Sequence, residues 1–313
     1  MSAAIQLNAI TRKFGSFTAV DELSFDVQRG EIFCMLGPNG SGKTTTIHMI
    51  TGLLRRTSGK LDVSGFDPQV QPRLVRQRIG LVPQETNIYG ELSALDNLWH
   101  HAGLYCKDLG QARERIEALL KLVDLWDRRK DPAGTFSGGM KRRLALLALA
   151  RALLHDPEII LFDEPTLGVD VQGRHMLWDH IHALRDAGKT FVITTNDMNE
   201  ADRLCDRLVI IDHGKCIVLD SPERLKAELG RDIVTLHTTP AIPDPAAEFQ
   251  SFGVRQVSLP EPGVVRFEVE NAEALVGDLV RRISPRYHLE NFRIARPTLD
   301  DVFLHHTGRA LRE

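Results

Sequence analysis

The run Gly37-Pro38-Asn39-Gly40-Ser41-Gly42-Lys43-Thr44 limits the fold of this chain more than any other stretch. A G-x-x-x-x-G-K-[ST] loop carries meaning only between a strand and a helix. Both flanks fit that requirement. Glu31 to Leu36 is a short apolar run, and Lys43 to about Leu53 has a helical pattern. In that setting the glycines let backbone amides wrap phosphate oxygens. Lys43 supplies a point charge to the β- and γ-phosphates, and the Thr44 hydroxyl is placed to ligate Mg²⁺, with Thr45 beside it in the first turn. A chance Gly-rich turn is not expected to satisfy the whole pattern and both flanks at once.

A second chemical feature follows. Ile159-Ile160-Leu161-Phe162-Asp163-Glu164 is an apolar strand that delivers two carboxylates at its end. Asp163 is placed to hold Mg²⁺ through water, and Glu164 to orient or deprotonate an attacking water. Side chains alternate along a strand, so the two acids are expected on opposite sides, which suits separate roles. A third feature is Phe136-Ser137-Gly138-Gly139-Met140, at the mouth of a basic, apolar helix running through Ala152. Ser137 is a good N-cap, and a helix start with two glycines can gather amides around an anion. In isolation, an ordinary Ser-capped helix after a Gly turn is the favoured reading of that segment.

With 313 residues, the chain has room for one large domain and a small one. The formal net charge of −3 offers no basic footprint for nucleic acid. The cysteines Cys34, Cys106, Cys205 and Cys216 form no C-x-x-C pair, which argues against a zinc site or disulfide framework and for a reducing compartment. The first residues show no signal-peptide pattern. No apolar run approaches the ~18 residues of a membrane span. Work at a membrane would require a second chain to cross it. Strand and helix patterns alternate through residues 31–219, which argues for a mostly parallel sheet. Residues 92–128 have strong helical periodicity and interrupt the β-rich flanks. After a Pro-rich stretch at 238–245, the order strand 232–238, helix 245–252, strands 254–259 and 264–269, helix 272–283, strand 287–294 reads as βαββαβ. The expected division is an ATPase domain at 1–230, with a helical insertion at about 86–150, and a small α+β domain at 231–313.

These motifs together resemble the ATP-binding subunits of ABC transporters. The phosphate loop, Gln84 after a buried strand, Ser137-Gly138-Gly139, Asp163-Glu164 and the loop Leu167-Gly168-Val169-Asp170 follow in that family's order and spacing, over roughly residues 5–225. The resemblance implies an α/β fold: a P-loop NTPase (RecA-like) core with an N-terminal antiparallel β subdomain and a helical insertion. It implies that Phe14 stacks on adenine, with Phe17 as the competing position. It implies that Gln84 touches Mg²⁺ and the attacking water and relays to a membrane partner. Asp170 resembles the residue that communicates between two nucleotide sites. Ser137, Gly138 and Gly139 resemble the group that contacts the γ-phosphate of an ATP held by the opposite subunit. That arrangement implies a head-to-tail homodimer, an integral-membrane permease as partner, and a place on the cytoplasmic face of the membrane.

Phe136 and Met140 stand where the family usually has Leu and Gln, leaving the Ser-Gly-Gly donors intact. With Lys141-Arg142-Arg143, and with the tail Arg296-Pro297-Thr298-Leu299-Asp300-Asp301-Val302-Phe303-Leu304, the chain resembles the daunorubicin-resistance-type drug-export branch. The departure with most chemical weight is Asn196, at the position of a His that contacts the γ-phosphate. Asn donates a hydrogen bond but does not titrate near neutral pH, so two expectations stand: slower hydrolysis, or a bond that replaces that of His and leaves Glu164 unaffected. Two other readings compete with an export motor: a soluble ABC ATPase outside transport, and a hydrolysis-poor ATP-gated partner subunit. The tandem cassettes, zinc motifs and long coiled coils of the first are absent, and Glu164 argues against the second.

Overall fold

The computed structural model describes residues 3–84, 88–106, 108–136, 140–230 and 232–307, without the side chains of 140–142, 256 and 260. Ser137, Gly138 and Gly139 therefore lie outside the described residues. The chain divides into two compact units, of which the first runs to Pro222 and the second spans Glu223–Ala310.

The first unit begins with β1 (Ala3–Phe14), β2 (Phe17–Gln28), β3 (Ile32–Leu36), α1 (Lys43–Ile50), β4 (Ser58–Val63), α2 (Pro72–Arg76) and β5 (Ile79–Val82). It continues through α3 (Ala94–Tyr105), α4 (Leu109–Leu122), α5 (Met140–Leu153), β6 (Ile159–Asp163), α6 (Val171–Asp186), β7 (Thr190–Thr195), α7 (Met198–Leu204), β8 (Arg207–Asp212) and β9 (Lys215–Asp220). A six-stranded sheet has the order β5-β6-β7-β3-β8-β9. It is parallel except for the β8–β9 hairpin, which turns through His213 and Gly214, both at positive φ. Every residue of β3, β6 and β7 is buried. That burial explains their continuous apolar runs, because a parallel strand is covered on both faces.

Register fixes the site. Leu36 pairs with Thr195 and Asp163 with Thr194, so the C-terminal ends of three adjacent strands meet. Open α/β sheets bind ligands at that edge. A smaller antiparallel sheet, β2-β1-β4, shares one apolar cluster with the parallel sheet. Within it, Phe25 stacks on Phe33 with ring centroids 5.0 Å apart. The helical block separates into α3, capped by Ser93, and α4, capped by Asp108. Of the residues that carry its periodicity, Leu98, Ile116, Leu119, Leu120 and Val123 are buried, and Leu95 and Trp99 are half-buried.

The second unit contains α8 (Pro222–Glu228), β10 (Asp232–Thr239), α9 (Pro245–Phe249), β11 (Arg255–Glu261), β12 (Val264–Val269), α10 (Ala272–Ile283), β13 (His288–Ala295) and α11 (Leu299–Thr307). Its antiparallel sheet has the order β11-β12-β10-β13, the pairing of a split βαββαβ unit. Val234, Leu236, Phe249, Phe267, Leu279 and Ile283 form its core. Thr298 and Asp301 exchange hydrogen bonds at the start of α11, as a capping box does.

Candidate active site

The phosphate loop joins β3 to α1. Gly37 donates to the Thr195 carbonyl, Ser41 donates to the Pro38 carbonyl, and Gly214 donates to the Ser41 carbonyl, so both ends and the middle are pinned. Two glycines are required by space. A Cβ on Gly37 would lie 2.1 Å from the Ile211 carbonyl oxygen. Gly42 has φ +106°, and a Cβ there would lie 2.7 Å from the Ala19 carbonyl oxygen. Gly42 is also the N-cap of α1, and the first helical bond is Thr46 to Gly42. The amides of Lys43, Thr44 and Thr45 therefore precede the helical ladder and have no intrahelical partner. Gly40 is also left-handed, with φ +79°; Asn39 and Gly40 form the exposed tip.

Lys43 is only 4% exposed and reaches back over the loop. Its Nζ donates to the Gly37 carbonyl at 2.8 Å and the Pro38 carbonyl at 3.1 Å, and lies 3.5 Å from Glu164 Oε1. Burial lowers its pKa from the ordinary lysine value, opposed by Glu164 and then Asp163. The ammonium is thus partly desolvated and held on protein oxygens.

The two carboxylates meet this loop from β6. The Thr44 hydroxyl donates to Asp163 Oδ1 at 3.1 Å, and the Thr194 hydroxyl donates to the same oxygen at 2.6 Å. Glu164 does not continue the strand. Its φ is +52°, an uncommon conformation for a residue other than Gly, Asn or Asp. The expected alternation of Asp163 and Glu164 to opposite sides is corrected accordingly. Leaving the strand in a left-handed turn, Glu164 comes back beside Lys43, so both acids address the phosphate loop. The turn is held at its amide, which donates to the Thr194 hydroxyl at 3.0 Å and the Thr194 carbonyl at 3.1 Å. Gln84 Nε2 donates to Glu164 Oε2 at 3.0 Å, bringing the residue after β5 into the same cluster.

Lys43, Thr44, Gln84, Asp163 and Glu164 are therefore one constellation. Thr194 is an addition that sequence reasoning missed. Its signal was two threonines ending an apolar strand, where a satisfied polar partner was required. Asn196 directly follows β7 and is half-buried. Asp170 caps α6, its Oδ1 accepting from the Gly173 amide at 2.6 Å. Phe14 and Phe17 face each other across the β1–β2 turn and are both exposed. The Arg12 guanidinium lies 4.3 Å from the Phe14 ring centroid.

Comparison with known proteins decides the family. Residues 20–167 match the family described as ABC transporter, and residues 221–307 match the C-terminal domain of ATP-binding proteins like DrrA1-3. The chain is 37% identical over 314 residues to the Nod factor export ATP-binding protein I of Burkholderia lata, covering 99% of both chains. This chain belongs to the ABC transporter ATP-binding family. It is 35% identical to the linearmycin resistance ATP-binding protein LnrL of Bacillus subtilis, covering 99% of this chain and all of that one. A solved ATP-binding subunit of an ABC transporter superposes with a TM-score of 0.64 at 25% identity, over 72% of this chain and 93% of that one. A nucleotide-free ABC cassette gives 0.63 at 26%, over 73% and 95%.

As an ABC ATPase, the protein binds ATP and hydrolyses it in a cycle coupled to transport. The residues present fit that ligand. Ser41 Oγ is buried in the phosphate loop with no hydrogen-bond partner among the described residues, a donor in want of an acceptor. Among the described residues, no helix is long and apolar enough to cross a membrane.

Proposed function

We propose that this chain is the motor of an exporter whose membrane-spanning permease is a separate polypeptide, and that its cargo is a drug or another hydrophobic compound. The observation carrying this reading is likeness over 99% of the chain to ATP-binding proteins named for Nod factor export and for linearmycin resistance, extending through the C-terminal unit. In the proposed cycle, Lys43 and the first amides of α1 bind the β- and γ-phosphates. Thr44, Asp163 and Gln84 form the oxygen-donor set for Mg²⁺, a cation that would neutralise the charge developing on the phosphoryl group. Glu164 orients and deprotonates the attacking water, with Gln84 holding its second oxygen. Phe14 supports the adenine.

The partners follow from the same reading. A second copy of the chain presents Ser137, Gly138 and Gly139 to the γ-phosphate, and Asp170 lies in the segment facing its nucleotide. The permease docks on the cytoplasmic face, near Gln84 and the segment 85–100. A cleft of about 220 Å³ lined by Leu53, Leu81, Pro83, His101, Tyr105 and Arg151 suits such contact. Asn196 supplies a hydrogen bond to phosphate without titrating, and turnover is correspondingly slow.

The test is co-purification of the tagged chain from detergent-extracted membranes of its own cells. An integral-membrane permease should accompany it, and ATP turnover of the pair should respond to the transported compound. Recovery of the chain with soluble partners only would place it outside transport. Recovery with a permease and a second, different ATP-binding subunit that alone turns over would make it the ATP-gated partner.

A further inference from the structure

Beyond the cluster around Lys43, a second set of contacts joins the same two strand ends. After Asp163, the chain leaves β6 through a tight turn in which Leu167 donates to the Glu164 carbonyl at 3.3 Å and Val169 donates to the Thr166 carbonyl at 3.0 Å. After Thr195, the chain leaves β7 through Asn196 and Asp197. Thr194 ties the two excursions at their base, through Asp163 and the Glu164 amide. Arg174 ties them at their far end. Its Nε donates to the Val169 carbonyl at 3.1 Å, and its Nη1 donates to Asp197 Oδ2 at 2.6 Å. The result is a closed circuit: Glu164, its turn, Arg174, Asp197, Thr195 and Thr194, and back to Glu164.

We propose that Arg174 is a positioning residue for ATP hydrolysis, holding the turn that carries Glu164 against the segment that leaves β7. The residue type fits that role and no local one. A cation in the first turn of α6 opposes the helix dipole, so Arg174 does not serve its own helix. Its planar fork holds a carbonyl and a carboxylate together in one fixed geometry. Asp197 divides its labour in the same way. Oδ1 caps α7 through the amides of Asn199 at 2.9 Å and Glu200 at 3.2 Å, leaving Oδ2 for Arg174. A second link lies further along the same helices, where Trp178 Nε1 donates to the buried Glu200 Oε1 at 3.2 Å. Helices α6 and α7 are thus joined independently of Arg174. Its removal loosens the turns without unpacking the helices.

This inference rests on Glu164 handling the attacking water, and the experiment separates the two claims. Single-turnover hydrolysis of Mg-ATP and equilibrium binding of a fluorescent ATP analogue are measured on the full chain, for wild type, Glu164→Gln, Arg174→Ala, Arg174→Lys, Asp197→Asn and the double variant Arg174→Ala with Asp197→Asn. Asp197→Asn keeps the Oδ1 cap and removes only the ion pair. Arg174→Ala and Asp197→Asn should each slow hydrolysis by about tenfold to a hundredfold, the cost of a small misplacement. Nucleotide affinity should stay within about twofold, so the loss falls on the chemical step. Arg174→Lys should recover part of the rate, and the double variant should be no slower than the worse single one. An unchanged rate in Arg174→Ala and Asp197→Asn with Glu164→Gln inactive overturns the Arg174 role alone. Hydrolysis at the wild-type rate in Glu164→Gln overturns the Glu164 reading instead. Affinity falling in step with rate, or additive losses in the double variant, would reduce Arg174 to a packing contact.

Discussion

Thr194→Val should cost stability by an amount the geometry sets. The Thr194 side chain is fully buried, and Val matches its shape while removing the hydroxyl. Two close interactions are at stake, beside a long 3.5 Å contact from the hydroxyl to the Phe162 carbonyl. The first is the bond the hydroxyl donates to Asp163 Oδ1 at 2.6 Å. Hydrogen bonds to charged groups contribute about 1.5–3 kcal/mol. The second is the bond accepted from the Glu164 amide, but that amide also donates to the Thr194 carbonyl at 3.1 Å and keeps a partner. The expected loss is therefore about 2 kcal/mol, nearly all from the first bond. For a unit of this size that corresponds to a Tm lower by about 4–8 °C. The assay is denaturant unfolding of the full chain, followed by tryptophan fluorescence. Trp99, Trp126 and Trp178 all lie in the first unit, so the signal reports the unit that holds the site. A change under about 0.5 kcal/mol, the scale of a neutral surface substitution, would refute the claim that Thr194 anchors Asp163. ATP turnover should fall together with stability, because Asp163 loses the shorter of the two hydroxyl bonds that orient its oxygen.

Three further outcomes follow from other parts of the molecule. Gly37→Ala should abolish ATP binding in an equilibrium nucleotide-binding assay and destabilise the first unit by about 1–3 kcal/mol, because the new methyl meets the Ile211 carbonyl with no room to move. Asn196→His should raise steady-state ATP turnover of the assembled transporter and introduce a pH dependence near neutrality; an unchanged or lower rate would show that Asn196 serves the phosphate as well as His does. Burial first, then the charges of Arg151, His155 and His100, push the His101 pKa down to about 4. Between pH 6.5 and 4 the unfolded chain therefore binds a proton that the folded chain refuses, so stability is unaffected above that window and falls as pH drops through it. His101→Gln should flatten unfolding curves compared at pH 7 and pH 5.

Much of the site was legible because its chemistry is local. The phosphate loop needs Gly, Lys and Thr at fixed offsets between a strand and a helix, and chain order alone states that. The C-terminal unit was legible for another reason. Its strands alternate clearly, and the predicted element order matches the folded one closely. What escaped was set by tertiary contacts. Strand β4 was unread because Gly59, Lys60 and Asp62 interrupt its pattern, and only Leu61 and Val63 are buried. The far end of strand β1 runs through Arg12 and Lys13, which break its apolar alternation and whose pairing with β2 is irregular. The left-handed turn of Glu164 has no sequence signal, since nothing in the residue favours positive φ; the hydrogen bonds from its amide to Thr194 hold it there. Arg174 did leave a trace, a cation at a helix N-terminus where the dipole disfavours one. Only the fold shows what it reaches.

Glu164→Gln tests most directly whether Lys43, Asp163 and Glu164 form a working ATP-hydrolysing centre. Gln keeps the shape and the contact with Gln84 but takes no proton. With purified full-length protein and Mg-ATP, wild type should turn over ATP. The variant should lose at least about a hundredfold in rate, as expected when a general base is removed, while still binding ATP. Turnover in the variant at the wild-type rate would contradict the account.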